Sequence, residues 1–449
     1  MPFTKLTTSI ALILLCINWS TYKANAQRTD ANTILIEAVN IFDGKTNRLL
    51  LNQYVLIEGN TIKTISPLPI TGATAQTVIQ AKGKTLMPGL IDVHIHMVFG
   101  GLTMEEMMAP DFSEDKIIEK ISSHAEKMLL RGFTAVRDVG GPIFPLKMAI
   151  DKGLIRGPRI WPSGATISQT AGHGDFRLPN EHSRRFTGEI SRAEKYGATF
   201  IADGRDEVLT AVRENLRFGA SQLKLMAGGG TSSEYDPVDV TQYTLDEMKA
   251  AVEAAADWGT YVTVHAYTTR AVRRAIEAGV KCIEHGQMLD MATLKLMQKK
   301  GIWLSCQNLE EGGPDMNPLR LQKRQPVIEG QKKIWSMAKQ AKVKLAWGTD
   351  FLFKPKLYDE QNDYILKLKP WFSPYEILKM VTHDNAQLLA LSGLRSPYTG
   401  KLGVVEQGAL ADLILVDGNP LLNINLIGNP AEKFLLIIKD GQIIKNTLK

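Results

Sequence analysis

Three cysteines in 449 residues are too few to build a disulfide framework. Cys16 falls in the N-terminal leader, while Cys282 and Cys306 each sit inside an apolar, strand-like run. Both read as small buried hydrophobes, and nothing in their spacing supports a pairing. No basic stripe interleaved with aromatics runs along the chain, so no nucleic-acid surface is expected. The formal charge of +6 includes Lys5 and Lys23 of the leader, and the remaining charges of both signs are spread as on a solvated surface. Past the leader no stretch reads as membrane-spanning, and no short repeat or low-complexity tract is visible. What is present is bulk: 44% of residues are hydrophobic, ample for two to three domains or one barrel with an attachment.

Residues 1–26 read as a cleaved signal peptide. Lys5 precedes the apolar run 10–17, and Ala24-Asn25-Ala26 places small residues ahead of Gln27. The expectation is an exported protein, periplasmic or secreted, without stable membrane insertion.

Both ends of the mature chain are strand-rich. Near the start, Thr33-Ile34-Leu35-Ile36 and Tyr54-Val55-Leu56-Ile57 are apolar or alternating runs, and Glu58-Gly59-Asn60 signals a tight turn. Near the end, Asp412-Leu413-Ile414-Leu415-Val416 and Leu435-Leu436-Ile437-Ile438 repeat the pattern, with a turn at Asp440-Gly441. The expected assembly is a small β-sandwich built from residues 27–87 and 396–449, with residues 88–395 inserted between its halves. That middle region alternates strands and helices. Candidate strands fall at 91–97, 135–139, 160–163, 222–226, 261–266, 282–285, 302–306 and 345–347. Thr244 followed by Glu247 forms a capping-box pattern ahead of Leu245, Met248, Val252 and Ala255 at helical spacing. Pro374 opens another helix expected to reach about residue 391. Eight strands, each followed by a helix or long loop, predict an α/β fold, a (β/α)₈ TIM-like barrel. The unpatterned stretches 166–205 and 306–325 are expected as loops at the barrel mouth.

The chemistry gathers at strand ends. His94-Ile95-His96 places two imidazoles on one face of the first strand, where they can chelate one metal ion. Asp92 shares that face and is a candidate orienting group behind them. His265 and His285 close the fifth and sixth strands after the runs Val262-Thr263-Val264 and Cys282-Ile283-Glu284. Four of the eight histidines thus sit at carboxyl ends of strands, where barrels of this kind carry their active sites. Asp350 ends the eighth strand in Trp347-Gly348-Thr349-Asp350, where a carboxylate can bind metal and take a proton from the attacking water. Lys224 lies between apolar neighbours just ahead of Ala227-Gly228-Gly229-Gly230. A buried cation is costly there. A neutral, desolvated amine can instead add carbon dioxide, giving an anionic carbamate whose two oxygens suit a pair of ions roughly 3.5–4 Å apart.

These pieces together resemble the amidohydrolase superfamily, in particular its binuclear zinc dipeptidase branch (Xaa-Pro dipeptidase or imidazolonepropionase-like proteins). The matching segments are Pro88-Gly89-Leu90-Ile91-Asp92-Val93-His94-Ile95-His96, the Lys224 strand with its glycine run, Val264-His265-Ala266, Ile283-Glu284-His285-Gly286, Gly348-Thr349-Asp350 and Gly408-Ala409-Leu410-Ala411-Asp412-Leu413. Single-metal imidazolonepropionases lack the bridging lysine, so that activity is not adopted. The resemblance implies two Zn2+ per chain bridged by carboxylated Lys224, one ion on His94, His96 and Asp350 and the other on His265 and His285. It further implies a metal-bridging hydroxide, with Asp350 accepting its proton and delivering it to the leaving amine.

The expected activity is hydrolysis of a carboxamide bond in dipeptides, L-Xaa-L-Xaa or Xaa-Pro. His173, in Gly172-His173-Gly174-Asp175, is the candidate for the substrate carbonyl or carboxylate, and Tyr235 and Tyr267 for the carboxylate. Arg177 and Arg205 are further candidates for a carboxylate clamp. The segment Thr231-Ser232-Ser233-Glu234-Tyr235-Asp236 departs from the branch's pattern. Two alternatives stay open: an amidohydrolase acting on another small amide such as an N-acyl amino acid, and a non-catalytic scaffold of the same fold. The partner is a small molecule in either enzymatic case, and a homo-oligomer is admitted.

Overall fold

The computed structural model describes residues 32–448 except 73, 110, 111, 234 and 313–315. The leader reading and Glu234 therefore lie outside the described residues.

The chain ends meet in one sheet of eight strands. Its order is Gln442–Asn446, Phe434–Lys439, Leu413–Val416, Thr85–Pro88, Thr33–Ile41, Leu50–Glu58 and Thr61–Ser66, with Thr77–Gln80 also paired to Thr33–Ile41. The join between the two ends is antiparallel, with Met87 opposite Ile414. Alternate residues of these strands, Ile34 and Ile36, Val55 and Ile57, Leu413 and Leu415, Leu436 and Ile438, fill one shared core, as the two-residue period requires. Asp440 and Gly441 both have positive φ, the two-residue turn that matches the twist of a hairpin. The two-layered arrangement expected of a sandwich is not established by the pairing. The hydrogen-bonded ladder runs unbroken from one end strand to the other, so the strands from both chain ends are joined by continuous pairing.

All eight candidate strands of the middle region are present and run parallel. Leu90–Ile95, Phe133–Asp138 and Arg159–Pro162 form a three-stranded sheet; Leu223–Met226, Val262–Thr268, Cys282–Met288, Trp303–Cys306 and Lys344–Trp347 belong to a seven-stranded one. The other two members of the larger sheet, Thr166–Ser168 and Thr199–Ile201, fall in the stretch 166–205 expected to be loop. They are three residues each, too short to leave a periodic signal. Likewise the helix Pro318–Gln340 begins inside the stretch 306–325.

The two parallel sheets join through single bonds rather than ladders. Ser221 N donates to Pro162 O at 2.7 Å, and Asp350 N donates to His94 O at 2.8 Å. Asn385 fastens the second seam: its amide nitrogen donates to Ile91 O (2.7 Å) and Trp347 O (2.9 Å), and its carbonyl accepts from Trp347 N (3.0 Å). The architecture is TIM-barrel-like α/β, with the strand carboxyl ends converging on one cavity.

Thr244 caps Leu245–Asp257 with the expected reciprocal bonds to Glu247, and Met248 and Ala255 are buried. The helix from Pro374 is broken up: Pro374–Lys379 gives way to one widened turn, Met380–Asp384, before Asn385–Leu389. A widened turn rotates the downstream residues around the helix axis, and the first residue after it is the seam residue Asn385. Cys282 and Cys306 are buried and unpaired. Among the described residues no helix is long and apolar enough to cross a membrane.

Candidate active site

The strand Leu90–Ile95 delivers His94 and, one residue past its end, His96. Leu223–Met226 delivers Lys224, Val262–Thr268 delivers His265 and Tyr267, Cys282–Met288 delivers His285, and Asp350 follows Lys344–Trp347. All of these side chains line one cavity of about 670 Å3. Asp350 is its hub. Oδ1 lies 3.3 Å from His94 Nε2 and 3.4 Å from His96 Nε2, and Oδ2 lies 3.9 Å from His285 Nδ1. Ligand atoms of His94, His285 and Asp350 all fall within 4.8 Å of one another. The His265 ring meets that of His285 at 4.4 Å between centroids.

Three of the imidazoles commit one nitrogen to a fixed partner, which assigns the tautomer and leaves the other nitrogen for a ligand. His94 Nδ1 faces Glu284 Oε2 at 2.7 Å, His96 Nδ1 donates to Gly140 O at 2.9 Å, and His265 Nε2 donates to Gly229 O at 3.1 Å. His94 Nε2 and His285 Nδ1 are buried with no hydrogen-bond partner among the described residues. Orphaned buried polar atoms are costly, and a cation between them removes the cost. Burial lowers His96 and holds His265 and His285 well below 6.5, so these rings are neutral at pH 7, the form that binds metal. Burial alone would raise the Asp350 carboxyl, but His94 and His96 outweigh it and hold it well below the usual range. Burial likewise lowers the Lys224 amine, which is 1% exposed and has no ion pair among the described residues. The donor set thus fits a divalent cation, and Lys224 brings a buried amine with a lowered pKa beside it.

Backbone strain helps aim two of these groups. His285 (φ 77°) and Asp350 (φ 57°) are in the left-handed region, which costs of order 1–3 kcal/mol for such residues. In a regular strand Glu284 and His285 would point to opposite faces. Here both face the site: Glu284 reaches His94, and the His285 ring lies 4.9 Å from that of His94. The turn at His285 is what allows it.

Behind His94 lies a buried polar chain. Arg137 Nη2 bonds Glu284 Oε1 at 2.6 Å, both groups fully buried, and Thr263 donates to the same oxygen. Burial would raise the Glu284 carboxyl, but Arg137 and His94 hold it well below 4.5. Asp92 orients the site differently from what its strand position suggested. It accepts from His94 N (3.1 Å), Thr349 N (3.2 Å) and Thr349 Oγ1 (2.6 Å), so it ties the backbone before Asp350 to that of His94 and does not touch the imidazoles.

His173 stacks on His265, centroids 4.0 Å apart and planes 20° apart. Its Nδ1 meets Ser233 Oγ at 2.9 Å and Asp236 Oδ2 at 3.3 Å. A Cβ on Gly230 would lie 1.8 Å from the His173 ring, which explains the end of the glycine run. Tyr267 packs its ring 5.0 Å from both His265 and His285, while Tyr235 stands at the rim, 55% exposed. Of the two candidate clamps, Arg177 lines the cavity but is held by Asp175 at 2.5 Å. Arg205 pairs with Glu253 and Asp246 and is absent from the cavity lining.

The amidohydrolase family signature matches residues 85–445. The chain belongs to the amidohydrolase family. An ochratoxinase from Aspergillus niger is 33% identical over 377 residues, covering 80% of this chain and 75% of that protein. A prolidase crystallised with N-methylphosphonate-L-proline superposes with a TM-score of 0.84 at 32% identity, covering 92% of this chain and all of that one (100%). A Xaa-Pro dipeptidase with methionine bound in its active site gives 0.76 at 29% identity, covering 92% and 99%. Family membership, with prolidase and ochratoxinase among its relatives, supports hydrolysis of an amide bond.

Several participants escaped sequence reasoning. Glu284 was hidden inside an apolar run, and Arg137 sits in a strand with no motif around it. Asp236 belongs to the segment that departs from the branch's pattern, where no spacing rule links it to His173. A carboxylate immediately before a strand-end histidine was the one usable signal, since a buried acid needs a stated partner.

Proposed function

We propose that this amidohydrolase uses zinc to cleave the carboxamide bond of dipeptides, L-Xaa-L-Xaa, with proline or a hydrophobic residue second. The observation that carries the reading is the pair of buried, unpartnered imidazole nitrogens, His94 Nε2 and His285 Nδ1, gathered around Asp350. His94, His96 and Asp350 would hold one zinc ion, His265 and His285 a second, and carboxylated Lys224 would join them. Bound metal supplies a lowered pKa for water and polarisation of the scissile carbonyl.

The rest falls to the chain's own side chains. Asp350 takes the proton of the attacking water on a carboxylate oxygen and returns it to the leaving amine. Glu284 keeps His94 in one tautomer throughout. His173, its Nδ1 tied to Ser233 and Asp236, offers Nε2 to the substrate carbonyl or carboxylate. Tyr267 and Tyr235 stand where they can hold the carboxylate. A panel of dipeptides offered to the zinc-loaded protein tests this: turnover supports it, and retained zinc without turnover of any dipeptide rejects the substrate class.

One observation favours a second reading, cleavage of N-acyl amino acids. The cavity is roomy, and Phe99, Met107, Phe112 and Leu309 give it apolar walls suited to an acyl group. Pairing each dipeptide with its N-acylated counterpart separates the two. The scaffold alternative predicts a chain that binds no metal, and the full donor set argues against it. We also propose export with removal of residues 1–26, which mass spectrometry of the mature protein checks.

A further inference from the structure

Arg324 differs from Arg177, which lines the same cavity, in how it is held. Arg177 is neutralised by a carboxylate, Asp175. Arg324 donates through Nε (3.1 Å) and Nη2 (2.7 Å) to a neutral acceptor, the carbonyl oxygen of Glu310. Its third nitrogen makes no hydrogen bond, and no carboxylate pairs with it, among the described residues. The guanidinium is therefore fixed in place in a half-buried site with no carboxylate in direct contact among the described residues, although its charge is felt by the Glu310 carboxylate.

Its location follows from the helix Pro318–Gln340. Val327, three residues on and so on the same helix face, packs in one apolar cluster with Tyr267 and Val238. Lys323, the preceding residue, donates to Ser233 O at 2.7 Å and faces Asp236 at 3.7 Å. This face of the helix thus spans from Tyr267, which lies on His265 and His285, to the loop that holds His173. Gln331 clasps Leu309 through both backbone atoms, so the strand end that carries Glu310 is tied to the same helix.

We propose that Arg324 binds the α-carboxylate of the amino acid that leaves on hydrolysis, fixing which end of the substrate lies toward Tyr267. A planar guanidinium anchored on one edge presents the fork that carboxylates favour. This rests on the amide-hydrolase reading and adds a discriminating consequence. The enzyme must prefer a free carboxyl terminus over a carboxamide, and Arg324 must be the origin of that preference.

The test uses the metal-loaded protein with L-Ala-L-Leu and L-Ala-L-leucinamide. For the wild type, KM for the acid is expected to be about tenfold or more below that for the amide. Arg324→Met should raise KM for the acid about 10- to 100-fold, leave KM for the amide unchanged and alter kcat by less than about threefold. Arg324→Lys, which keeps the charge but loses the fork, should recover part of the loss and serves if the methionine variant fails to fold. Equal losses on both substrates, or an unchanged acid preference in Arg324→Met, overturn the proposal, as does a wild type without acid preference. If the wild type cleaves neither, the hydrolytic reading is decided by the wider dipeptide panel. Calorimetric binding of N-acetyl-L-leucine against N-acetyl-L-leucinamide then still decides Arg324: preference for the acid that the variant loses supports it, and equal binding rejects it.

Discussion

On the cavity floor a buried sequence of charges holds the ligand-bearing side chains, whereas on the wall the charged groups rest on loop backbone or on a partner in their own loop. His94 is held by Glu284, and Glu284 by Arg137, with every member of the series fully buried. On the wall, Arg324 rests on a carbonyl oxygen, and Arg177 rests on Asp175 two residues away in the same loop. The contrast separates two jobs. The floor cannot shift without stranding a charge in low dielectric, so it fixes the reaction. The wall can be altered without disturbing the donors, so it selects the substrate.

The largest effect that would sharpen this division is at Lys224. Lys224→Ala is expected to abolish amide hydrolysis by at least about 1000-fold and to deplete bound metal, both read from kinetics and elemental analysis. Partial rescue by short carboxylic acids would support the carbamate, and normal activity would remove it. Next in size is Glu284. Glu284→Gln keeps the shape but not the charge, and should weaken zinc binding about 10- to 100-fold in competition with a chelator. Glu284→Ala leaves Arg137 buried and unpaired, and should cost about 3–5 kcal/mol in a denaturant titration. A Glu284 variant that binds metal normally would break the division between floor and wall.

The pH response of the metal-free protein is a third probe of the floor. Burial depresses His265 and His285 in the folded chain, while in the unfolded chain they titrate near 6.5. The unfolded state therefore binds more protons below that value, so the stability these rings contribute is full above 6.5 and falls with acidification. The slope approaches about 1.4 kcal/mol per pH unit for each imidazole. Thermal unfolding of the apoprotein from pH 7 to pH 5 should show a falling midpoint, and zinc, which keeps the folded rings deprotonated, should raise the midpoint without removing that fall. The smallest effect belongs to the wall. Arg177→Ala removes an ion pair worth about 1 kcal/mol or less and should leave metal content unchanged; metal loss in that variant would contradict the division.

Much of the floor was legible because strands impose a two-residue period. Thr263, His265 and Tyr267 alternate down one strand, and Lys224 with Met226 down another, and all of these except Thr263 line the cavity while Thr263 bonds Glu284. The adjacent pair Glu284 and His285 defeats that rule, because a left-handed residue turns His285 toward a face that alternation denies it. The wall was not legible for a different reason. Arg324 comes into the cavity because its helix packs Val327 against Tyr267 of a strand distant in sequence, and no local pattern encodes that meeting. The short strands Thr166–Ser168 and Thr199–Ile201 were missed for want of length, and the continuous pairing of the two chain ends was not legible because register between distant segments leaves no local trace.

The most direct test of the account is hydrolysis of L-Ala-L-Pro followed while zinc is titrated into the chelator-stripped protein. The proposed two-zinc reading predicts no activity at the start and a rise that saturates at about two equivalents per chain. Full activity in the stripped protein, or zinc that binds without restoring hydrolysis of any amide, would contradict it.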